Sequence, residues 1–368
     1  MKILLIGALN SNHTKRWANA MAARGHTVMV AHRPDQTDDM GDLHPSVKTA
    51  ALKFGGTNYS YYLNVPSLRK IYKKFRPDVV NAHYATGYTT LARLAGARPL
   101  ISSCWGSDVY DFPLKSKLNR RMLCKNLNQA DAVASTSYAM ADQARKMIGD
   151  PDRAITVTPF GVDTDLFSPA EQKVENQRPV IGIVKYLEPI YDIPLLIRAF
   201  ALTYHSSGEV KPILSITGSG RLKEELVALA DSLGVGDSVF FHDTIKNTEV
   251  PNTVRGFDIF VNCSLRESFG VAVVEAMACQ IPVVVTNAPG YREVVVDGET
   301  GIILPDRDPE TMAAAFRKLL GDPALRERYG KAGRKRVLEN YVWKNNITTM
   351  ENLYISVAEK HRKRRGCV

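Results

Sequence analysis

The chain has no apolar run near bilayer length, no Cys-x-x-Cys pair and, over its first 165 residues, not one glutamate. The first absence excludes a membrane-spanning helix, which needs about 18 consecutive apolar residues. The five cysteines (104, 124, 263, 279 and 367) stand singly, which excludes structural disulfides and cysteine-held zinc and predicts a reduced, cytoplasmic protein. The eight histidines form no short-spaced pair, and Asp38-Asp39 sits in a polar loop, so no metal or other cofactor is expected. Lacking glutamate, residues 1–165 carry 22 lysines and arginines against 13 aspartates, and hold most of the net charge of +10. One half of the molecule therefore faces something anionic. With no helix-turn-helix, aromatic ribonucleoprotein motif or zinc knuckle present, that partner is not nucleic acid.

What is present is a chain of 368 residues, 45% apolar, with enough bulk for two domains. Short β-rich runs alternate with helical stretches, the pattern of α/β parallel sheets with crossover helices. The opening Ile3-Leu4-Leu5-Ile6-Gly7 reads as a buried strand, being too short for a targeting segment. Further strands are predicted at 26–32, 78–83, 100–104, 132–136 and 155–158. After a polar, proline-bounded linker (168–179) they resume at 180–185, 213–218, 239–242, 258–263, 283–286 and 301–304. The expected division is 1–162, 163–342, and a helix with a basic tail over 343–368. Tandem doubly wound sheets place their strand C-termini at a shared cleft, where such sheets bind ligands.

Glu275 stands alone in the apolar helical run Phe269-Gly-Val-Ala-Val-Val-Glu275-Ala-Met-Ala-Cys279, with no lysine or arginine three or four residues away. Read as buried, it needs a partner from elsewhere. Just before it, Ser268-Phe269-Gly270 opens the helix, whose first amides form an anion site, and Gly270 admits close approach of a ligand. Phosphate at the helix mouth and a diol held by Glu275 describe a nucleoside diphosphate with its ribose. An arginine from a neighbouring element is the competing partner.

The run Glu267-Ser-Phe-Gly-Val-Ala-Val-Val-Glu275, with Gly290-Tyr-Arg-Glu293 and Thr158-Pro-Phe-Gly161-Val-Asp163 around it, resembles glycosyltransferase family 4. Gly25-His26, Asp78-Val-Val-Asn-Ala-His83 and Trp105-Gly-Ser-Asp108 are similar to that family's N-terminal markers. The resemblance implies the GT-B fold, two Rossmann-like domains facing a cleft with the C-terminal helix crossing back to the first. It also implies transfer from a nucleotide sugar, a UDP-sugar being favoured, with retention of configuration. It gives Glu275 the ribose hydroxyls and Glu267 the donor sugar, beside the amides of Phe269, Gly270 and Val271. Lys185 becomes the diphosphate clamp, and Gly218 and Gly220 a glycine loop near the nucleotide. Gly7 and Asn12 face the phosphates, while His83, Ser107 and Asp108 line the sugar and acceptor side. For His83 and Asp108 a structural role, and for Gly218-Ser-Gly220 a plain tight turn, are the alternatives.

The chain departs from the family pattern at Ile190, where a second cation is usual, at Asp192, usually glycine, and at Trp105, often histidine. Lys246 or Arg255 could replace the missing cation, and Trp105 stack on a sugar. Apolar residues at helical spacing with five cations, over Pro113–Leu127, suggest a basic amphipathic helix at the inner membrane face, where a glycan or polyprenol-linked acceptor in cell-surface polysaccharide synthesis would be presented. The rival functions are a nucleotide-sugar epimerase and a catalytically silent nucleotide-sugar binder.

Overall fold

The computed structural model describes residues 1–37, 42–171 and 176–366. Asp38, Asp39, Cys367 and the middle of the expected linker (172–175) lie outside them. The chain forms two compact units, Met1–Phe160 with Lys344–Val368, and Gly161–Trp343.

Among the described residues, the first unit is built on seven parallel strands: β1 (Lys2–Ile6), β2 (Thr27–His32), β3 (Lys48–Ala51), β4 (Val79–His83), β5 (Leu100–Cys104), β6 (Ala132–Ser135) and β7 (Ile155–Val157). Every residue of β4 and β5 is buried, as a parallel sheet covered on both faces requires. The apolar runs marked all of these strands except β3. That strand pairs only with β2 at the sheet edge and is largely exposed, so it has no buried face to impose a hydrophobic pattern.

The described residues of the second unit form six parallel strands: β8 (Val180–Val184), β9 (Ile213–Thr217), β10 (Val239–His242), β11 (Ile259–Asn262), β12 (Val283–Val285) and β13 (Gly301–Ile303). Ile181, Ile183, Leu214 and Ile216 pack with Leu196, Phe200 and Phe316 in its largest core cluster. Arg334 donates to the carbonyls of Phe167 (2.6 Å), Ala278 (2.7 Å) and Thr164 (3.1 Å), so the 158–167 motif is anchored partly by this one guanidinium.

Strand order runs β3-β2-β1-β4-β5-β6-β7 in one sheet and β10-β9-β8-β11-β12-β13 in the other. Each sheet reverses direction of winding once, between β1 and β4 and between β8 and β11. Beyond the carboxyl ends of such a strand pair the flanking connections diverge and leave a crevice. The sequence puts Gly7 and His83 at the first of these points, and Lys185 and Glu267 at the second.

The last helix, Trp343–Gly366, joins the first unit from Lys344 onward. There the Tyr354 hydroxyl accepts from Asn81 Nδ2 at 2.8 Å, Glu351 pairs with His26 (2.6 Å) and Arg24, and Arg362 pairs with Asp78 (2.9 Å). His26, one of the N-terminal markers, thus serves to dock this helix.

Candidate active site

Lys185 leaves β8 with its amide bonded to the Thr217 carbonyl at 3.0 Å. Its ammonium meets Glu267 Oε2 at 3.1 Å, both side chains being 16% exposed, and lies 4.6 Å from the centre of the Tyr191 ring. Burial opposes the charge, but Glu267, then Tyr191 and more weakly Glu275, outweigh it and hold the Lys185 pKa above the ordinary lysine value. The lysine is therefore a charged group at physiological pH. Behind it, a Cβ on Gly218 (φ +146°) would overlap the Lys185 carbonyl, and one on Gly220 would overlap the Leu187 carbonyl. These glycines let the β9 loop close on the backbone that carries the lysine, which is more than a plain turn.

Glu267 receives its neighbour's amide, Ser268 N, on Oε1 at 3.1 Å. The buried Tyr291 hydroxyl donates to Ser264 Oγ at 2.8 Å and stands 3.5 Å from Glu267 Oε2. Burial first, then Glu267, pushes the Tyr291 phenol well above its ordinary pKa, so it remains a neutral donor. Gly270 caps the helix Val271–Ala278 at φ +102°, in the left-handed region that favours glycine. The Val271 amide opens the first turn. Phe269 is buried edge-on to Tyr341 at 5.5 Å, so only its backbone belongs to the site.

Glu275 corrects the sequence reading: it is half-buried, not buried. Val271, Ala272 and Glu275 share one incompletely covered stripe of the helix while Val273, Val274, Ala276 and Met277 face the core. Arg255 is also corrected, since its guanidinium is spent on Ser168 O (2.7 Å), Leu166 O (2.9 Å) and Asn252 Oδ1 (2.8 Å) and cannot serve as a phosphate clamp. Lys246 is exposed in the loop after β10.

In the first unit, Gly7 follows β1 so closely against β4 that an added Cβ would lie 3.1 Å from His83 Cβ and from Thr14 Oγ1. His83 is buried, and burial, then His13, pushes its pKa down to about 3, so the ring is neutral. Its Nδ1 lies 3.3 Å from Thr14 Oγ1, and its Nε2 has no hydrogen-bond partner among the described residues. Trp105 packs over His83 with ring centres 4.5 Å apart, and His13 stacks on Phe160 at 3.7 Å. Asn12 is the exposed first residue of the helix Asn12–Ala23.

Asp108 takes the structural role, the alternative to lining the site. Expected to line the sugar and acceptor side, it is 1% exposed and accepts the amides of Ala85 (2.8 Å), Gly106 (2.8 Å) and Trp105 (3.1 Å). Burial raises its pKa against those bonds, and the carboxylate is engaged in tying the ends of β4 and β5 together. Ser107 is exposed, its Oγ 3.1 Å from the Tyr84 hydroxyl.

The structure thus gathers Lys185, Glu267, Gly218, Gly220 and the 269–275 segment in one unit, and Gly7, His83 and Trp105 in the other. Sequence reading missed Tyr84, Tyr191, Ser264, Tyr291 and Arg307. Tyr84 holds φ +82°, a strained backbone for a non-glycine residue of the kind found at functional sites. Among the described residues, no three His, Cys, Asp or Glu side chains are grouped as ligands for a metal.

The family model described as Glycosyl transferases group 1 matches residues 166–336, and the Glycosyl transferase 4-like model matches residues 2–137. The chain is 32% identical over 278 residues to the GDP-mannose-dependent alpha-(1-6)-phosphatidylinositol monomannoside mannosyltransferase of Mycolicibacterium smegmatis, covering 72% of each. It is 26% identical to the glycogen synthase of Mycobacterium tuberculosis, covering 98% of this chain and 94% of that protein. In fold it is similar to the sucrose-phosphate synthase from Thermosynechococcus elongatus, with a TM-score of 0.85 at 20% identity over 97% of this chain and 98% of that one. Anabaena Alr3699/HepE, solved in complex with UDP and glucose, gives 0.80 at 18% identity over 97% and 100%.

Proposed function

Given that the chain belongs to glycosyltransferase family 4, we propose that it moves a hexose, with retention, from a nucleoside diphosphate donor to a glycan or polyprenol-linked acceptor in cell-surface polysaccharide synthesis. It is a hexosyltransferase with a nucleotide-sugar donor. The observation that carries the finer reading is the Lys185–Glu267 pair beyond β8 and β11, beside the opening of the helix Val271–Ala278. When a diphosphate arrives it takes Lys185 as its counterion. That frees Glu267 to accept hydroxyl hydrogens from the sugar, and Glu275 those of the ribose. The bond from anomeric carbon to diphosphate oxygen breaks, the acceptor oxygen bonds to that carbon on the same face, and the acceptor proton passes to the departing diphosphate. Negative charge grows on the leaving group, where Lys185 and the Val271-end amides stabilise it. The reading calls on no metal and no other cofactor. His83, being neutral, offers an imidazole nitrogen to a sugar hydroxyl and no charge.

For the donor, the expected UDP-sugar stands beside GDP-mannose, which the likeness to the Mycolicibacterium smegmatis enzyme favours. Calorimetry with UDP-glucose, GDP-mannose and ADP-glucose separates them. Glu275→Gln should weaken the preferred donor about 10- to 100-fold, the value of a hydrogen bond to a charged group. Unchanged affinity, or no binding by the wild type, defeats the site. Turnover that needs no acceptor would point to an epimerase, and binding with no turnover over a broad acceptor panel to a silent binder.

The proposed acceptor surface is an anionic bilayer. The helix Lys117–Gln129 buries Leu123 and Leu127 but leaves Leu118 at 74% and nearby Leu114 at 70% exposure. Tyr62, bonded to Met122 Sδ at 3.3 Å, brings exposed Tyr59 and Leu63 alongside, and residues 57–76 and 112–129 contain no acidic side chain. Each such cation is worth about 1 kcal/mol near an anionic surface, so replacing Arg120 and Arg121 with glutamine should weaken co-sedimentation with phosphatidylglycerol vesicles about 30-fold. Equal partition of wild type and variant at low salt removes the membrane from the proposal.

A further inference from the structure

Asp192 is in the left-handed region, at φ +46°, a conformation glycine adopts more easily. It is also half-buried and paired with Arg307. The Arg307 guanidinium further donates to the carbonyls of Cys263 (2.8 Å) and Ser264 (3.3 Å) at the end of β11. The same stretch is moored on its other side, where Leu265 N donates to Ile190 O at 2.8 Å. A carboxylate kept where glycine would fold with less strain implies a use for the charge.

The contacts close into a ring within the second unit. Arg307 holds Ser264, whose hydroxyl accepts from Tyr291 at 2.8 Å, and Tyr291 stands 3.5 Å from Glu267. Glu267 pairs with Lys185 at 3.1 Å, the Lys185 ammonium lies 4.6 Å from the Tyr191 ring centre, and Tyr191 leads directly into Asp192. We infer that Asp192 and Arg307 are positioning residues for donor binding: their clasp fixes Tyr191 on one side of the Lys185 ammonium and Glu267 on the other. Asp192 also neutralises Arg307. With isoleucine at 190, Lys185 is the cation that leaves β8 toward the diphosphate, and the clasp keeps it in place. The inference rests on the reading of Lys185 as the diphosphate ligand.

Asp192→Gly tests it at modest cost to the fold, because relief of strain at φ +46° offsets part of what the lost Arg307 pair costs. The expected result is a thermal midpoint within about 4 °C of wild type, a donor KM and a nucleoside diphosphate Kd raised about tenfold, and kcat within about twofold. Arg307→Met should raise KM similarly, and the double variant should be no worse than either single one, as residues acting through one contact are non-additive. Adding Ile190→Lys to Asp192→Gly should restore most of the lost affinity. Wild-type KM in D192G, a KM rise that tracks a falling midpoint, additive losses, or no rescue by lysine each overturn the clasp. A wild type that binds no nucleoside diphosphate overturns the donor site as well, and so marks that failure apart.

Discussion

Lys185→Met should lower kcat/KM for the donor by about 10²–10³-fold, the usual loss when one group stabilising a developing anion is removed. Methionine keeps the length of the side chain and its packing on Tyr191, so what disappears is the charge that meets Glu267 at 3.1 Å. The variant also leaves Glu267 without its counterion at 16% exposure, which costs stability. The double variant Lys185→Met/Glu267→Gln separates the two effects. It should recover stability, because no lone carboxylate remains, but not turnover. Activity near wild type in either variant would sink the assignment of Lys185. The charge also fixes the pH response. A raised lysine pKa means that the folded state holds the proton more tightly than the unfolded chain. The stabilisation is therefore complete below the ordinary lysine pKa and fades only as pH climbs through the raised value. No loss of donor affinity between about pH 7 and 9 should trace to this group.

The second large effect is expected at Gly218. Alanine there adds a Cβ that overlaps the Lys185 carbonyl, at φ +146° where side chains are rarely accommodated. Strain and collision with rigid backbone together put the cost at about 3 kcal/mol or more. For a unit of this size that corresponds to a fall in midpoint of roughly 6–12 °C. The strand end must also retreat, carrying Lys185 with it, so donor affinity should fall further than stability alone explains. Calorimetric unfolding and donor titration on the same sample measure both. A variant with unaltered midpoint and affinity would show that the loop does not press on the strand end.

Much of this was readable beforehand for a physical reason. A parallel strand covered on both faces must be a continuous apolar run, and among the described residues such runs marked twelve of the thirteen strands, β3 at its exposed edge being the one missed. Gly270 was marked as a point of close ligand approach, and only the structure shows that its backbone takes a φ of +102°, which glycine adopts most easily. Burial of single side chains was less legible. Glu275 looked buried because its neighbours are apolar, yet helical geometry turns it onto the open stripe shared with Val271 and Ala272. Asp108 looked available as a ligand group, but three backbone amides converge on it, and which amides converge is not encoded locally.

Taken alone, the order of residues determined that there are two doubly wound parallel sheets and that a glycine-capped helix with flanking carboxylates belongs to the second, since these follow from runs and spacings a few residues long. Tertiary structure decided which charges meet. Lys185 finds Glu267 82 positions away because β8 lies beside β11 where the sheet reverses, and Asp192 finds Arg307, which follows β13 of the same sheet, 115 positions away. Strand order is a long-range property of the packed sheet. No local pattern in the chain specifies it, and the chemistry of the site depends on it.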